Sequence, residues 1–76
     1  MSINLLDVVM LEADLPLHAL NRGDIGAIVE LYQDGAVEVE FVTAGGYTKA
    51  LVTLTPDQFS PLDPQDMLAV RRLNAA

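Results

Sequence analysis

Cysteine and tryptophan are absent from this chain, and positive charge is scarce: four Lys and Arg stand against eleven Asp and Glu, with a single histidine. Without cysteine there is no disulfide, no thiolate metal ligand and no thiol nucleophile, which is compatible with a reducing cytosol. The formal charge of −7 repels phosphate backbones and anionic headgroups, so neither nucleic acid nor a membrane surface is an expected partner. No apolar run approaches the roughly 18 residues of a spanning helix. The segment ahead of Glu12 lacks the basic and unbroken apolar regions of a secretion signal, because Asp7 interrupts it. A cytoplasmic protein is therefore expected. Aromatic residues make up only 5%, so the core should be aliphatic.

What is present is apolar side chain. Residues of the set AVILMFWYC reach 51% and charged residues 20%, a balance that favours a packed core over disorder. Seventy-six residues allow one small domain over residues 1–76, near the lower limit for a core that folds unaided. Period-2 alternation runs through residues 24–54. Ile25, Ala27, Val29 and Leu31 share one face while Glu30 and Tyr32 take the other, and Val37, Val39 and Phe41 alternate with Glu38 and Glu40.

Facing residues of an antiparallel pair must share a side of the sheet, and this excludes a two-residue turn at Asp34-Gly35, which would set Leu31 against Glu38. A three-residue loop, Gln33-Asp34-Gly35, instead pairs Leu31 with Val37, Val29 with Val39 and Ala27 with Phe41. It leaves Glu30 opposite Glu38 and Ile28 opposite Glu40 on the outer face. A four-residue loop at 43–46 then pairs Phe41 with Thr48, Val39 with Ala50 and Val37 with Val52, with Glu40 facing Lys49 and Val42 facing Tyr47 outside. Gly26 marks a bulge or a close backbone approach.

Residues 5–11 form a further apolar segment, best read as a strand, followed by a long loop over 12–23. Downstream, Thr55, Pro56 and Gln58 have the spacing of a capping box, but Pro61 and Pro64 limit the helical segment to a single 3₁₀ turn. Residues 63–76 are open between two readings. Asp63 to Asp66 can cap a short helix through Leu73, or residues 67–73 can form a closing strand beside the first one, which would cover a sheet edge. The strand is preferred. The fold class expected is all-β, a small five-stranded barrel with a 3₁₀ turn near its end.

Candidate chemistry is thin. His18 has no cysteine or carboxylate pair at metal-ligand spacing and reads as a loop residue. The serines, Ser2 and Ser60, lie outside any nucleophile elbow. Asp7, Glu12 and Asp14 read as solvated loop charge, because acid-base pairs need a cleft that a barrel of this size scarcely offers. Gly23 and Gly26 precede a strand where a dinucleotide site requires a helix, and Arg22-Gly23-Asp24 reads as a tight turn. No catalytic residue, metal or cofactor is expected, and the chain is read as a non-enzyme.

The segments 5–11 (LLDVVML), Leu15-Pro16, 20–30 (LNRGDIGAIVE), 37–41 (VEVEF) and 54–59 (LTPDQF) together resemble a family of small bacterial, notably cyanobacterial, proteins of unknown function with an SH3-like fold. The likeness covers about residues 5–62. Arg22-Gly23, Gly26, Ile28, Val39 and Phe41 are more weakly similar to the SH3-like C-terminal domain of the nitrile hydratase β subunit, which serves assembly and holds no metal. The first resemblance implies a fold. The tendency of such genes to lie beside defence or toxin-antitoxin genes implies a protein partner, and the second resemblance implies an accessory subunit of an enzyme. An RNA- or ribosome-binding barrel would need a basic strip, for which only Arg22, Lys49, Arg71 and Arg72 are available.

The leading expectation is a protein-interaction module, antitoxin- or immunity-like in its specific form, that binds a partner with a basic surface through Glu30, Tyr32, Glu38, Glu40 and Tyr47. Homodimerisation through an edge strand, the tail or an apolar face of Leu5, Val9 and Leu11 is the accompanying expectation.

Overall fold

Alternating Val, Ile, Leu and Phe separated by glycine turns is strand chemistry, and the computed structural model, which describes residues 3–73, resolves it into one antiparallel sheet. The strands are β1 (Val8–Leu11), β2 (Ile25–Leu31), β3 (Val37–Val42), β4 (Thr48–Leu54) and β5 (Phe59–Pro61). Their spatial order is β4-β3-β2-β1-β5, so three strands meander outward and the chain then returns to lay β5 along the free edge of β1. The remaining regular elements are 3₁₀ turns at Pro16–His18 and Pro56–Gln58. At the second, the Gln58 side chain accepts the Thr55 N–H at 2.9 Å, and Pro56 at its first position needs no donor partner. The all-β class, the five strands and the 3₁₀ turn ahead of the last strand agree with the sequence reading. Among the described residues no helix is long and apolar enough to cross a membrane.

The last strand is not where the alternation placed it. Residues 66–73 form neither strand nor helix, and Asp63 and Asp66 close a single turn around Pro64. The reason is that Phe59, Ser60 and Pro61 already occupy the edge of β1, with Phe59 buried in the core, so that edge offers residues 67–73 no strand to pair with. Met67 and Val70 are accordingly 94% and 91% exposed. The edge of β1 is covered as expected, but by an earlier segment of the chain. Residues 74–76 and Ser2 lie outside the described residues.

Two bulges correct the registers. Leu31 pairs with Val37 and Glu30 with Glu38 as expected, and Gly35 closes the turn at φ 89°. At Val29, however, the ladder slips, so Ile28 faces Val39 and Ala27 faces Glu40. An extra residue reverses the parity of everything before it. Ile28 and Gly26 therefore face the core and Ala27 turns outward, overturning the pairs Val29–Val39, Ala27–Phe41 and Ile28–Glu40.

Gly26 is the close approach that its position suggested. A Cβ there would lie 2.6 Å from Val39 Cγ1 and 2.9 Å from the Glu40 carbonyl oxygen. In the next hairpin Lys49 is the bulged residue, and Phe41 pairs with Ala50, Val39 with Val52 and Val37 with Leu54. This register is two residues off the expected one and keeps its parity. It brings Leu54 beside Val37, where both are buried. Glu40 consequently faces Leu51 where Lys49 was expected, and Val42 faces Thr48 where Tyr47 was expected.

The core is Val9, Leu11, Leu20, Ile28, Val37, Val39, Val52 and Leu54 with Phe41 and Phe59. It is aliphatic apart from the two Phe, and both Tyr stay at the surface. β1 is shorter than residues 5–11, because Asn4 and Asp7 exchange hydrogen bonds across a turn in which Leu6 has φ 71°. Val9 and Leu11 are core residues, so the dimer face drawn through them is corrected: Leu5 alone of the three is exposed.

Candidate protein-docking face

The outer face of the sheet is built by the residues that the pleat turns away from the core, and its composition is fixed by the bulges. One row crosses β4, β3 and β2 as Thr53, Glu38 and Glu30. The neighbouring row crosses four strands as Leu51, Glu40, Ala27 and Val8. Carboxylates thus stand in the middle of the face and exposed apolar side chains at its margins, with Leu51 54% and Val8 46% accessible.

Each acid is held by a local donor. The Thr53 hydroxyl and, at 3.4 Å, the Tyr32 hydroxyl both donate to Glu38 Oε1. Thr48 Oγ1 donates to Glu40 Oε2 at 2.7 Å, and the Leu31 N–H donates to Glu30 Oε1 at 3.2 Å. These donors are neutral, so they orient the carboxylates without cancelling their charge. Partial desolvation, and then the charges of Glu38 and Glu30, push the Tyr32 phenol above its ordinary pKa.

Lys49 does not offset this charge. Its ammonium donates to the backbone carbonyl of His18, in the first 3₁₀ turn, at 3.3 Å. Of the five residues singled out from sequence, the fold thus brings Glu30, Tyr32 and Glu38 together and sets Glu40 in the adjoining row. Tyr47 is separate, exposed in the turn at the other end of β3. Sequence reasoning did not single out Leu51 and Val8 on this face: alternation already turned Leu51 outward but set Lys49 opposite Glu40, and the apolar face drawn through Leu5, Val9 and Leu11 left Val8 out.

The other acids have structural partners. Glu12 accepts from Ser60 Oγ at 2.6 Å and pairs with Arg22 at 3.3 Å, and the Ser60 hydrogen bond leads in lowering its pKa. Asp14 accepts the Arg22 N–H at 2.8 Å. Asp24 accepts the Asn21 N–H at 2.7 Å and closes the Arg22-Gly23-Asp24 turn, with Gly23 at φ 93°. These carboxylates tie down the long β1–β2 loop, a more definite role than solvated charge. His18 is exposed in the first 3₁₀ turn.

A family model described as a domain of unknown function (DUF4926) matches residues 5–61, three quarters of the chain, and the chain belongs to that family. No curated protein and no solved structure matches it.

Proposed function

Proceeding from membership of a family defined without an activity, we propose that this protein is a non-enzymatic interaction module whose outer sheet face docks a protein with a basic, partly apolar surface. The observation that supports this reading is the Glu30–Glu38 pair. Two carboxylates stand directly opposite each other on β2 and β3 with only neutral donors around them. Like charges so placed cost up to about 1 kcal/mol. A cation from a partner relieves that cost on binding, and an Arg fork is suited to bridging paired carboxylates.

Leu51, Val8 and Tyr32 supply the apolar rim around the charged centre. Charge complementarity of this kind steers encounter and selects partners against other acidic proteins. In its most specific form the module is antitoxin-like and neutralises a basic neighbour by covering its cationic surface, which co-expression with the product of the adjacent gene tests.

The general reading is tested by immobilising the wild-type chain and the Glu30→Lys/Glu38→Lys variant in extract of the native host. A basic protein retained by the wild type, released by salt and lost at least about tenfold from the charge-reversed variant is the expected result. Equal retention on both, or none on either, contradicts it.

A further inference from the structure

The chain has four cationic side chains, and the fold places all of them around one cleft. Arg22, Lys49, Arg71 and Arg72 line an open cavity of about 780 Å³ between the start of β2, the β3–β4 hairpin and the C-terminal segment. Asp24 is the one acid in the lining, so the cleft carries a formal +3, while the other ten acids, a formal −10, lie outside it. Sequence spacing gives no hint of this, because positions 22, 49 and 71–72 meet only through the strand order and the run of the tail.

The cations divide by role. Arg71 is committed: its Nε and Nη2 donate to the two carboxylate oxygens of Asp24 at 2.9 and 2.6 Å, holding residues 66–73 against the domain as one wall of the cleft. Burial tends to raise the Asp24 pKa, but the Arg71 and Asn21 hydrogen bonds outweigh it and lower it. Arg22 shares one nitrogen with Glu12. Lys49 makes one bond, to the His18 carbonyl, which leaves two of its three N–H donors. Arg72 has no hydrogen-bond partner among the described residues. Apolar side chains, among them Leu20, Ile25, Phe41 and Val42, complete the lining.

We infer that this cleft is a binding site for a small organic anion, a carboxylate or phosphate on an apolar body, with Lys49, Arg72 and Arg22 around the head group and Ile25 and Val42 against the body. Its size is that of a small-molecule site. The Debye length, about 8 Å at physiological salt, decides between a small anion and a polyanion. A compact ligand feels the cations of the lining, whose formal +3 becomes +2 once Glu12, paired with Arg22, is counted. A nucleic-acid strand extends past the cleft onto acidic surface and is repelled by it.

The test uses 8-anilinonaphthalene-1-sulfonate as an apolar anion, inorganic phosphate as the bare head group and a single-stranded RNA oligonucleotide as the polyanion, each titrated into the full chain and followed by amide NMR shifts. The sulfonate should saturate with shifts at Leu20, Ile25, Val42 and Lys49, at least about tenfold more tightly than phosphate. Lys49→Gln/Arg72→Gln should weaken it about tenfold or more, whereas Glu30→Gln/Glu38→Gln should leave it within about twofold.

Arg72 is exposed and Lys49 only half-buried, and neither belongs to the core, so the double variant should retain its thermal transition. Val42→Glu, at another exposed position, offers an independent block by setting a carboxylate in the cleft. Shifts confined to the outer face, binding indifferent to all three cleft substitutions, or RNA binding more tightly than the sulfonate would overturn the inference.

Discussion

The outer face of β2–β4 and the cleft beneath the C-terminal tail are opposites in charge and in how they are made. The face is written in strand alternation: Glu30, Glu38 and Glu40 lie on paired strands and share a side because the pleat puts them there. The cleft is assembled from residues far apart in the chain, and one of its walls is fixed by the Arg71–Asp24 ion pair. A surface made by periodicity is robust and legible, whereas one made by a tail and a single pair is neither. A net charge of −7 conceals this division, since it sums an acidic face and a basic cleft.

The comparison breaks most completely where both surfaces depend on one contact. Ile28 is fully buried beneath the β2–β3 ladder. Ile28→Ala should cost about 3 kcal/mol in chemical denaturation and disturb face and cleft together. In a domain whose total stability is on the order of 5–15 kcal/mol, that is a large fraction. If denaturation instead showed a loss below about 1 kcal/mol, the packing described for β2 would be wrong.

Asp24→Asn acts on one pole only. It removes the charge that clasps Arg71, and, because the pair is partly exposed, global stability should fall by no more than about 1 kcal/mol. Hydrogen exchange and proteolysis at residues 66–73 should rise, while the acidic face is unaffected. Unchanged proteolysis of the tail would show that something other than this pair holds it.

Acid separates the loop acids from the rest. Glu12 and Asp24 have folded pKa values below their ordinary values of 4.5 and 3.8, so each binds its proton less readily folded than unfolded. Their contribution is fully present above those ordinary values and is lost as pH falls through the lower folded values. Thermal melts should therefore decline below about pH 4.5, and a Glu12→Gln/Asp24→Asn variant should decline less. A variant with the same acid profile as the wild type would show that these two groups do not set it. The Tyr32 phenol has the opposite sign. Its raised pKa favours the neutral form in the fold, so its contribution is present below about pH 10 and lost as pH rises beyond it.

The smallest effect is the most diagnostic of the acidic face. Glu30→Gln relieves the opposition to Glu38 and should raise stability by a few tenths of a kcal/mol. A destabilisation of similar size would mean that the Glu30 carboxylate is structurally needed and that its opposition to Glu38 carries no cost.

Much of the fold was legible because alternation, turn glycines and the Thr55-Pro56-Gln58 cap are local signals. The bulges were not. At Val29 and Lys49 the sheet accepts an extra residue so that Ile28 and Leu54 can enter the core, a gain seen only once the partner strands are in place. Closure of the β1 edge was legible as a need but not as a location, since Phe59–Pro61 is too short to announce itself as a strand and residues 67–73 are the longer apolar run. The carboxylate centre of the face was legible because a bulge at Val29 leaves Glu30 and Glu38 untouched. Its apolar margin and the cleft were not, since Leu51, Val8 and the four cations reach their places through register and topology.

The direct test of the acidic face as a docking surface is amide NMR of the labelled chain titrated with a soluble amphipathic helical peptide of Lys and Leu, with Leu at i, i+3, i+4 and i+7 spacing. Shifts at Glu30, Glu38, Glu40 and Leu51 that disappear in Glu30→Lys/Glu38→Lys are the predicted result. Shifts that spread over the other acids, or that survive the charge reversal, would contradict it.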